Sequence, residues 1–220
     1  MNLEYLLFDL DNTLYPKSSG MGKEIDHRMT SFVAEHLGIS PKDAKAKRIR
    51  YRDNYGTTLQ GLVRDDAFDD PEEFFNKVHP TDIYRYIEKD PRLREMLLNI
   101  KIPKSILTNS PEEHAKRILK YLEIDTCFEN IFDIRFNNLE GKPAIELYKK
   151  VLKTIDKKPE NVLFIDDLEL YLRPFKEIGG NVLLVSENAA GKDLNGIPVI
   201  NNIKQLSEYL ETYLKNAFNL

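Results

Sequence analysis

Short runs of apolar residues, each closed by a polar residue, recur along the chain and predict buried β-strands. The first run spans residues 3–8 and ends at Asp9, where the chain turns abruptly polar. Runs of about four to eight apolar residues with sharp boundaries are typical of strands that are covered on both faces. Similar runs follow at 104–108, 162–165 and 181–185, and a shorter one at 198–200 has the length of an edge strand.

Between these runs the apolar residues take up helical spacing, and helix start signals stand in front of them. We predict helices over 91–99, over 111–122, from Pro143 to about 152 and over 203–218. Asp90 is the expected N-cap of the first, and Ser110 is the expected N-cap of the second, with Glu113 reaching back in a capping box. Strands that alternate with helices predict an α/β fold with a doubly wound parallel sheet.

Residues 17–88 break this alternation, because they contain no convincing strand. Apolar residues from Ile25 to Val33 follow helical spacing, and Asp70-Pro71 repeats a helix start signal before further apolar residues. The segment therefore predicts a helical cap subdomain that is inserted after the first strand. On this interpretation residues 1–16 and 89–220 form the α/β core.

The composition excludes several classes of protein. The 220 residues carry a net charge of −4, whereas proteins that bind nucleic acids or membrane surfaces through charge show a basic excess. Cys127 is the single cysteine, so an intramolecular disulfide and a cysteine-based zinc site are excluded, and we expect a small buried apolar residue there. No apolar run reaches the roughly 20 residues that span a bilayer, and the first residues lack a signal-peptide pattern. We therefore expect a cytoplasmic protein that acts on a small molecule, with no membrane or nucleic-acid polymer as partner.

Charged and polar side chains stand where three predicted strands end and where one core helix begins. Ligands of doubly wound sheets bind just beyond the carboxyl ends of the strands, so we expect these groups to share one cleft. Four carboxylates in a partly buried cleft repel one another and call for a cation. Because the set offers oxygen without cysteine or histidine, it favours Mg²⁺. The residues are Asp9 and Asp11, Thr108 and Asn109, Lys142, and Asp166 and Asp167.

Lys142 conflicts with the expected helix that follows it, because a lysine at a helix N-terminus opposes the helix dipole. The conflict disappears if an anion binds there, since the helix N-terminus and the lysine both attract phosphate. Each polar residue has an ordinary structural interpretation by itself: the Asp-x-Asp as a turn, Thr108 as a helix-approach hydroxyl and Lys142 as a surface lysine. Their joint order at strand ends favours a catalytic site.

These groups together suit phosphoryl transfer. Asp9 can attack phosphorus and form an aspartyl-phosphate, which is a recognised form of covalent catalysis. Asp11 can protonate the leaving oxygen and later deprotonate water. Mg²⁺ and Lys142 would hold the equatorial oxygens, where charge must be stabilised in the transition state.

The order of these motifs resembles that of the haloacid dehalogenase (HAD) superfamily over almost the whole chain. The resemblance implies a Mg²⁺-dependent phosphatase with Asp9 as nucleophile and Asp11 as acid/base. It also implies that the metal is held by the side chain of Asp9, the backbone carbonyl of Asp11 and the acids Asp166 and Asp167. The presence of Asp11 argues against dehalogenation, which has no alcohol leaving group to protonate.

Finer features resemble the pyrimidine 5′-nucleotidase branch of that superfamily, which implies a nucleoside 5′-monophosphate as substrate. These features are Leu14-Tyr15-Pro16, the segment 55–62, Thr108-Asn-Ser with His114 shortly after, and the segment 164–167. The chain departs from the pattern of this branch in two places. Residues 136–140 form a shorter loop before Lys142 than is usual in the branch, and Pro174 is expected to break or delay the helix after the acid pair.

The cap is where substrate specificity should reside, because a lid touches the part of the substrate that is not phosphate. The candidates are Arg52, Tyr55 and Thr58. Residues 42–52 are basic and residues 65–73 are acidic, so either the two helix faces pair with each other or Arg48 or Arg52 steers an anionic substrate. Tyr51 and Tyr55 are either core aromatics or a stacking surface for a base. The four scattered histidines, including His79 and His114, are interpreted as helix-surface or core residues.

The leading interpretation is a Mg²⁺-dependent phosphomonoesterase that acts on a small metabolite. A sugar-phosphate or phosphoglycolate phosphatase with the same core is the nearest alternative. A phospho-acceptor signalling domain uses similar groups but carries its acid pair after the first strand, whereas here the pair comes last. A catalytically silent binding protein would have little reason to retain every charged group.

Overall fold

A six-stranded sheet, parallel throughout, forms the centre of the computed structural model, which describes residues 3–188 and 193–218. Its strand order is β3-β2-β1-β4-β5-β6, so that β1 and β4 occupy the middle. The strands are β1 (Tyr5–Phe8), β2 (Lys104–Leu107), β3 (Ile131–Phe132), β4 (Val162–Asp166), β5 (Asn181–Val185) and β6 (Val199–Ile200). The predicted fold class is thereby confirmed.

Side chains alternate between the two faces of the sheet, and helices cover both faces. Leu6 and Phe8 of β1 belong to one hydrophobic cluster, and Tyr5 and Leu7 belong to the other. The first cluster is closed by residues of α5 (Pro91–Asn99), α6 (Glu112–Tyr121) and α9 (Leu206–Phe218). The second is closed by residues of α7 (Ile145–Thr154) and α8 (Glu169–Glu177). Burial on both faces explains why these strands are continuous apolar runs in the sequence.

The third strand of the chain was not predicted. β3 has two residues, pairs with β2 and has only Phe132 fully buried. A run this short has no period that a pattern can reveal, and only the neighbouring strand gives it its conformation.

Two predicted helix starts differ from the observed ones. Pro111, and not Ser110, is the N-cap of α6, and no side chain caps that helix. The Ser110 hydroxyl donates to Asp11 instead, so the expected capping box is wrong because a tertiary partner competes for the hydroxyl. α7 begins at Ile145, two residues after Pro143.

The expected break at Pro174 is also wrong, because α8 is continuous from Glu169 to Glu177 with Pro174 inside it. A proline at this position removes one hydrogen bond to the carbonyl four residues earlier and costs about 3 kcal/mol. That carbonyl belongs to Leu170, whose side chain is 45% exposed. On the other side of the helix Leu172 and Phe175 are completely buried, and their packing against the sheet offsets the loss.

The segment between β1 and α5 contains helices and no strand within the described residues, as predicted. It comprises α1 (Met21–Leu37), α2 (Pro41–Tyr55), α3 (Thr58–Asp65) and α4 (Pro71–Val78), with short 3₁₀ turns at Lys17–Ser19 and Ile83–Arg85. Three of its helices begin as their sequences indicate, since Ser40, Thr57 and Asp70 cap α2, α3 and α4 through their side chains. Most of its buried apolar residues, including Tyr51, form a third hydrophobic cluster that also contains Ile134 of the core, whereas Met21 and Ile25 of α1 belong to the first sheet cluster.

In the part of the chain that the structure describes, no helix combines the length and the apolar character needed to cross a membrane. Cys127 is half-buried and packs against the first sheet cluster, close to the expectation of a buried apolar residue.

Candidate active site

Three polar segments meet at the carboxyl edge of the sheet because their strands are neighbours. Asp9 follows β1, Thr108 follows β2 and Asp166 is the last residue of β4. The order β2-β1-β4 places these ends side by side. This is the edge at which open α/β sheets bind ligands.

Three carboxylates converge there. Asp9, Asp166 and Asp167 each offer an oxygen, and these oxygens all lie within 4.8 Å of one another. Asp9 is 6% exposed and Asp166 is completely buried. Burial raises the pKa of both residues, and burial together with the charge of Asp166 raises the pKa of Asp167 to about 7. Carboxylate oxygens are the ligands that a hard divalent cation such as Mg²⁺ prefers. A cation bound here would also offset the burial and mutual repulsion that raise these pKa values.

Lys142 lies inside this cluster, with no exposed surface. Its Nζ donates to Asp9 Oδ1 and to Asp166 Oδ2, both at 2.6 Å. Burial by itself lowers the pKa of a lysine, but these two carboxylates outweigh it and hold the pKa of Lys142 above its usual value. The ammonium therefore stays charged at the centre of the site.

The backbone of Lys142 is fixed by the loop after β2. Its amide donates to Asn109 Oδ1 at 2.7 Å, and Asn109 Nδ2 donates to its carbonyl at 3.0 Å. A Cβ at Gly141 would lie 2.3 Å from Asn109 Oδ1, so only glycine permits this close approach. Asn109, a predicted phosphate ligand, therefore positions the backbone of Lys142 through both atoms of its amide group.

Thr108 is nearly buried, and its Oγ1 accepts from the amide of Ser110 at 3.0 Å. Among the described residues no protein acceptor takes the proton of the Thr108 hydroxyl. Thr108, Asn109 and Lys142 line the same cleft as Asp9 and Asp11, so the structure brings the predicted phosphate-binding and catalytic residues together.

Asp11 belongs to a separate network of hydrogen bonds. Tyr15 and His114 contact its Oδ1 at 2.5 and 2.8 Å, and the Ser110 hydroxyl donates to its Oδ2 at 2.6 Å. Burial raises the pKa of Asp11, but His114, Ser110 and Tyr15 outweigh burial and hold the pKa well below its usual value. The carboxylate of Asp11 does not belong to the three-carboxylate cluster.

His114 was noted shortly after Thr108-Asn-Ser in the sequence, but its contact with Asp11 was not predicted. His114 is 1% exposed, as expected for a core residue. That interpretation did not include its contact with Asp11, which the ring makes through Nε2. The available signal was its place one turn after Ser110, at the start of a helix that leaves a strand end. A side chain in the first turn of such a helix can reach back to the cleft.

The cleft between the strand ends and the inserted helices has a volume of about 430 Å³. Arg52 and Thr58 line it, as expected for residues that contact substrate. Tyr55 does not line it, because its hydroxyl donates to Asp65 at 2.6 Å and its ring packs under Arg64. Tyr51 is completely buried in the core of the inserted segment. A stacking role for either tyrosine is therefore a prediction that the structure does not support.

The basic residues of α2 divide between two faces of the helix. Lys47 pairs with Asp66 at 2.6 Å and Arg50 with Asp65 at 3.8 Å, which confirms pairing between the basic and acidic stretches. On the other face Lys45, Arg48 and Arg52 line the cleft. Arg48 is itself tied down there, since it donates to Asp26, Thr30 and Thr58.

Comparison with known proteins agrees with this architecture. A family model described as haloacid dehalogenase-like hydrolase matches residues 3–169. Phosphate metabolism protein 8 of Saccharomyces cerevisiae is 28% identical over an alignment of 208 residues, and the match covers 84% of this chain. The chain spans 65% of the length of that curated relative, which is less than two thirds.

Solved structures show the same fold at low sequence identity. The HAD hydrolase YfnB of Bacillus subtilis, solved bound to magnesium, is 16% identical, with a TM-score of 0.63 and coverage of 96% of this chain and 99% of that chain. The L-2-haloacid dehalogenase of Xanthobacter autotrophicus is 12% identical, with a TM-score of 0.58 and the same coverage. Because the fold is shared with a dehalogenase, the reaction must be argued from side chains. The family model matches well over half of the chain, and the protein therefore belongs to the haloacid dehalogenase-like hydrolase family.

Proposed function

We propose that the protein is a Mg²⁺-dependent phosphomonoesterase that works through an aspartyl-phosphate on Asp9. The observation that carries the proposal is the buried arrangement of Lys142 with Asp9 and Asp166, beside a third carboxylate on Asp167. A cationic side chain, an acidic cluster and a nucleophile at one strand edge are the parts that phosphoryl transfer requires.

In this mechanism Asp9 is the nucleophile. The Thr13 hydroxyl donates to Asp9 Oδ2 at 2.9 Å and Lys142 binds Oδ1, so the carboxylate is held in one orientation. Attack on phosphorus forms the bond from Asp9 to the phosphoryl group and breaks the bond to the leaving oxygen. Lys142 and the Thr108 hydroxyl are the donors available to the phosphoryl oxygens.

A metal ion would be held by Asp9, Asp166 and Asp167, together with the backbone carbonyl of Asp11. Mg²⁺ supplies positive charge that stabilises the phosphoryl oxygens when it is bound. Asp166 is in turn oriented by the amide of Leu168, which donates to its Oδ1 at 2.8 Å.

Asp11 is the proposed acid/base. In the free protein three hydrogen-bond donors hold Asp11 as a carboxylate, so it takes up the proton it delivers from a phosphate monoester that binds as its monoanion, whose negative charge raises the pKa of the neighbouring carboxyl group. As the bond to the leaving oxygen breaks, Asp11 gives that oxygen the proton, and it later takes a proton from the water that hydrolyses the aspartyl-phosphate. A halide leaving group needs no proton, so a carboxyl group held at this place supports a phosphatase over a dehalogenase.

We propose a small phosphate monoester as substrate, with a pyrimidine nucleoside 5′-monophosphate as the first candidate. A cleft of about 430 Å³ lies in the range of small-molecule sites. Residues 17–88 would act as a cap that carries the specificity residues, of which Arg52 and Thr58 line the cleft. A sugar phosphate or phosphoglycolate is the alternative, since the same core residues would serve it.

The test is a hydrolysis assay of the purified protein with Mg²⁺ against nucleoside monophosphates, sugar phosphates, phosphoglycolate and p-nitrophenyl phosphate. The proposal expects phosphate release that depends on Mg²⁺ and is lost in Asp9→Asn. No release from any of these esters would refute the phosphatase, whereas a preference for a sugar phosphate would refute only the nucleotide assignment.

A further inference from the structure

The two oxygens of Asp11 have different surroundings. Oδ1 is contacted by the Tyr15 hydroxyl at 2.5 Å and by His114 Nε2 at 2.8 Å. Oδ2 accepts one hydrogen bond, from the Ser110 hydroxyl at 2.6 Å. A carboxylate oxygen has two lone pairs, so Oδ1 is fully used within the protein while Oδ2 keeps one position open.

The two ring nitrogens of His114 have different surroundings. Nδ1 is buried and has no hydrogen-bond partner in the described structure, so a proton placed there would be unsatisfied. Nε2 faces Asp11, and a proton on Nε2 makes the ring a donor to Oδ1. This assignment is inferred from the hydrogen-bond network, and it makes His114 a fixed donor to Asp11.

The ring of His114 is held in place from the inserted segment. His79, directly after α4, packs against it with ring centroids 4.7 Å apart. His79 is anchored in turn, because its Nδ1 lies 3.0 Å from the carbonyl of Phe75. Since α6 carries His114 and α4 precedes His79, the packing joins the sheet helices to the insertion beside Asp11.

We propose that His114 is a positioning residue which, with Tyr15, holds Oδ1 of Asp11 and thereby leaves Oδ2 as the oxygen that exchanges the catalytic proton. This inference rests on the proposed phosphatase activity. A phosphate monoester that binds as its monoanion supplies the proton that Oδ2 takes up. In the first step this proton passes from Oδ2 to the leaving oxygen as the phosphorus–oxygen bond breaks, and Asp11 is left as a carboxylate. In the second step Oδ2 takes a proton from the attacking water, which restores Asp11.

Leaving groups of different acidity separate this role from simple structural support. An ester of a weakly acidic phenol needs proton delivery to its leaving oxygen, whereas p-nitrophenolate leaves without it. A correctly placed acid contributes roughly 10²–10⁴-fold to such a step. Loss of its orientation should therefore affect phenyl phosphate much more than p-nitrophenyl phosphate, although the two esters have similar shapes.

The experiment measures kcat/KM with Mg²⁺ for a series of substituted phenyl phosphates in the full chain. His114→Leu removes the donor and is expected to lower kcat/KM at least roughly tenfold for phenyl phosphate and less than about threefold for p-nitrophenyl phosphate. His114→Gln keeps an N–H that can reach Oδ1 and should restore most of the loss. Ile118→Val, one turn further along α6 and buried in the first sheet cluster, is the matched control and should change kcat/KM for all esters by the same factor.

The outcomes distinguish this inference from the proposed function. If wild-type protein hydrolyses none of the esters, both fail. Suppose that Asp11→Asn lowers kcat/KM more for phenyl phosphate than for p-nitrophenyl phosphate. If His114→Leu instead leaves kcat/KM unchanged, or lowers it by the same factor for every ester, only the positioning role is overturned. Should His114→Leu not fold, Tyr15→Phe removes the other donor to Oδ1 with little change of shape. If kcat/KM of that variant depends on the acidity of the leaving group as it does in wild-type protein, the inference is overturned.

Discussion

Lys142 and Asp166 form an ion pair 2.6 Å long in which neither side chain has any exposed surface. The same ammonium reaches Asp9 at 2.6 Å, so one cation lies between two buried carboxylates. With Asp167 the cluster has three carboxylates and one ammonium, and its formal charge of −2 is what a single divalent cation neutralises. The residues that hold the site together are therefore those proposed for catalysis.

Lys142→Met should lose both stability and activity. The substitution leaves two buried carboxylates without their counter-charge, and breaking a buried ion pair from one side costs about 3–5 kcal/mol. Urea unfolding of both proteins without Mg²⁺ measures the loss of stability, and the hydrolysis assay measures the loss of activity. Lys149→Met is the control, because Lys149 is 57% exposed and its pairing with Glu146 is worth about 0–1 kcal/mol. A Lys142→Met protein as stable as Lys149→Met would contradict the assigned role.

Asp9→Asn should lower phosphatase activity by several orders of magnitude. The amide keeps the shape of the side chain and can still contact Thr13 and Lys142, but it lacks the attacking charge. The measurement is kcat for p-nitrophenyl phosphate, together with trapping of the phosphorylated enzyme in wild-type protein. Retention of more than about a tenth of the activity would rule out covalent catalysis at Asp9.

Removal of the metal should abolish activity, and Mg²⁺ should restore it. We expect EDTA-treated protein to be inactive and Ca²⁺ to inhibit, because its larger and looser coordination misplaces the attacking carboxylate. Asp166→Ala and Asp167→Ala should each raise the Mg²⁺ concentration needed for half-maximal activity. In thermal unfolding, Mg²⁺ should raise the Tm of wild-type protein more than that of Asp167→Ala, since binding to the native state alone stabilises it. Full activity in a metal-free preparation would contradict this expectation.

His79 should make stability depend on pH. Burial lowers the pKa of His79 to about 3, whereas an unfolded histidine has a pKa of about 6.5. The unfolded state therefore binds more protons between these values, so the contribution is present above about pH 6.5 and is lost as the pH falls towards 3. Between pH 7 and pH 5 this amounts to about 2 kcal/mol of unfolding free energy.

Denaturant unfolding of wild-type protein and His79→Phe at pH 5, 6 and 7 measures this contribution. The phenylalanine keeps an aromatic ring against Phe75 and His114 but cannot bind a proton. We expect the difference in stability between pH 7 and pH 5 to be smaller in His79→Phe than in wild-type protein. Equal pH dependence in the two proteins would show that His79 is not held neutral by burial.

The sequence predicted those parts of the molecule that depend on local pattern. Asp9 and Asp166 could be placed at the ligand edge because each follows an apolar run with a sharp end. In a parallel sheet the carboxyl ends of the strands share one edge, which is where ligands bind. The capped helix starts at Asp70 and Asp90 were equally readable, since the cap and the proline are neighbours in the chain. In contrast, β3 takes its conformation from β2, a long-range contact that no short pattern records.

Side-chain orientation was harder to predict, because it depends on how helices pack. Ser110 has the sequence of an N-cap, yet its hydroxyl binds Asp11, which lies 99 residues away in the chain. Tyr55 and Arg52 are three residues apart on α2, and only the packing of α2 against α3 decides that Tyr55 faces Asp65 while Arg52 faces the cleft. The complete burial of Lys142 is likewise set by two carboxylates from distant strands.

Substrate choice should depend on the polar side chains that line the cleft, and variants of these residues test it. If the protein is a pyrimidine nucleotidase, kcat/KM for UMP and CMP should exceed that for AMP and GMP, because a cap that closes on the smaller ring collides with a purine. Gln60, a further polar residue of the segment 55–62, is not free to hydrogen-bond a base, since its amide donates to the carbonyl of Leu139 and its oxygen accepts from Arg64. Thr58 and Arg52 line the cleft. The Thr58 hydroxyl accepts from Arg48 and still has its own proton to donate, and the Arg52 guanidinium bonds the exposed Asp53.

Thr58→Val and Arg52→Met should therefore lower kcat/KM for UMP while p-nitrophenyl phosphate hydrolysis changes little. A site built on hydrogen bonds rejects analogues strongly, whereas an apolar slot discriminates only about 10–200-fold, so the size of the UMP/AMP ratio tells the two apart. Tyr55→Phe is the matched control, since it removes only the hydroxyl that binds Asp65 outside the cleft. Equal kcat/KM for purine and pyrimidine nucleotides, or a sugar phosphate that exceeds all four, would exclude the nucleotidase. The aspartyl-phosphate mechanism would stand in either case, because in the proposed mechanism Asp9, Lys142 and the acid cluster act on the phosphate and not on the group that it is attached to.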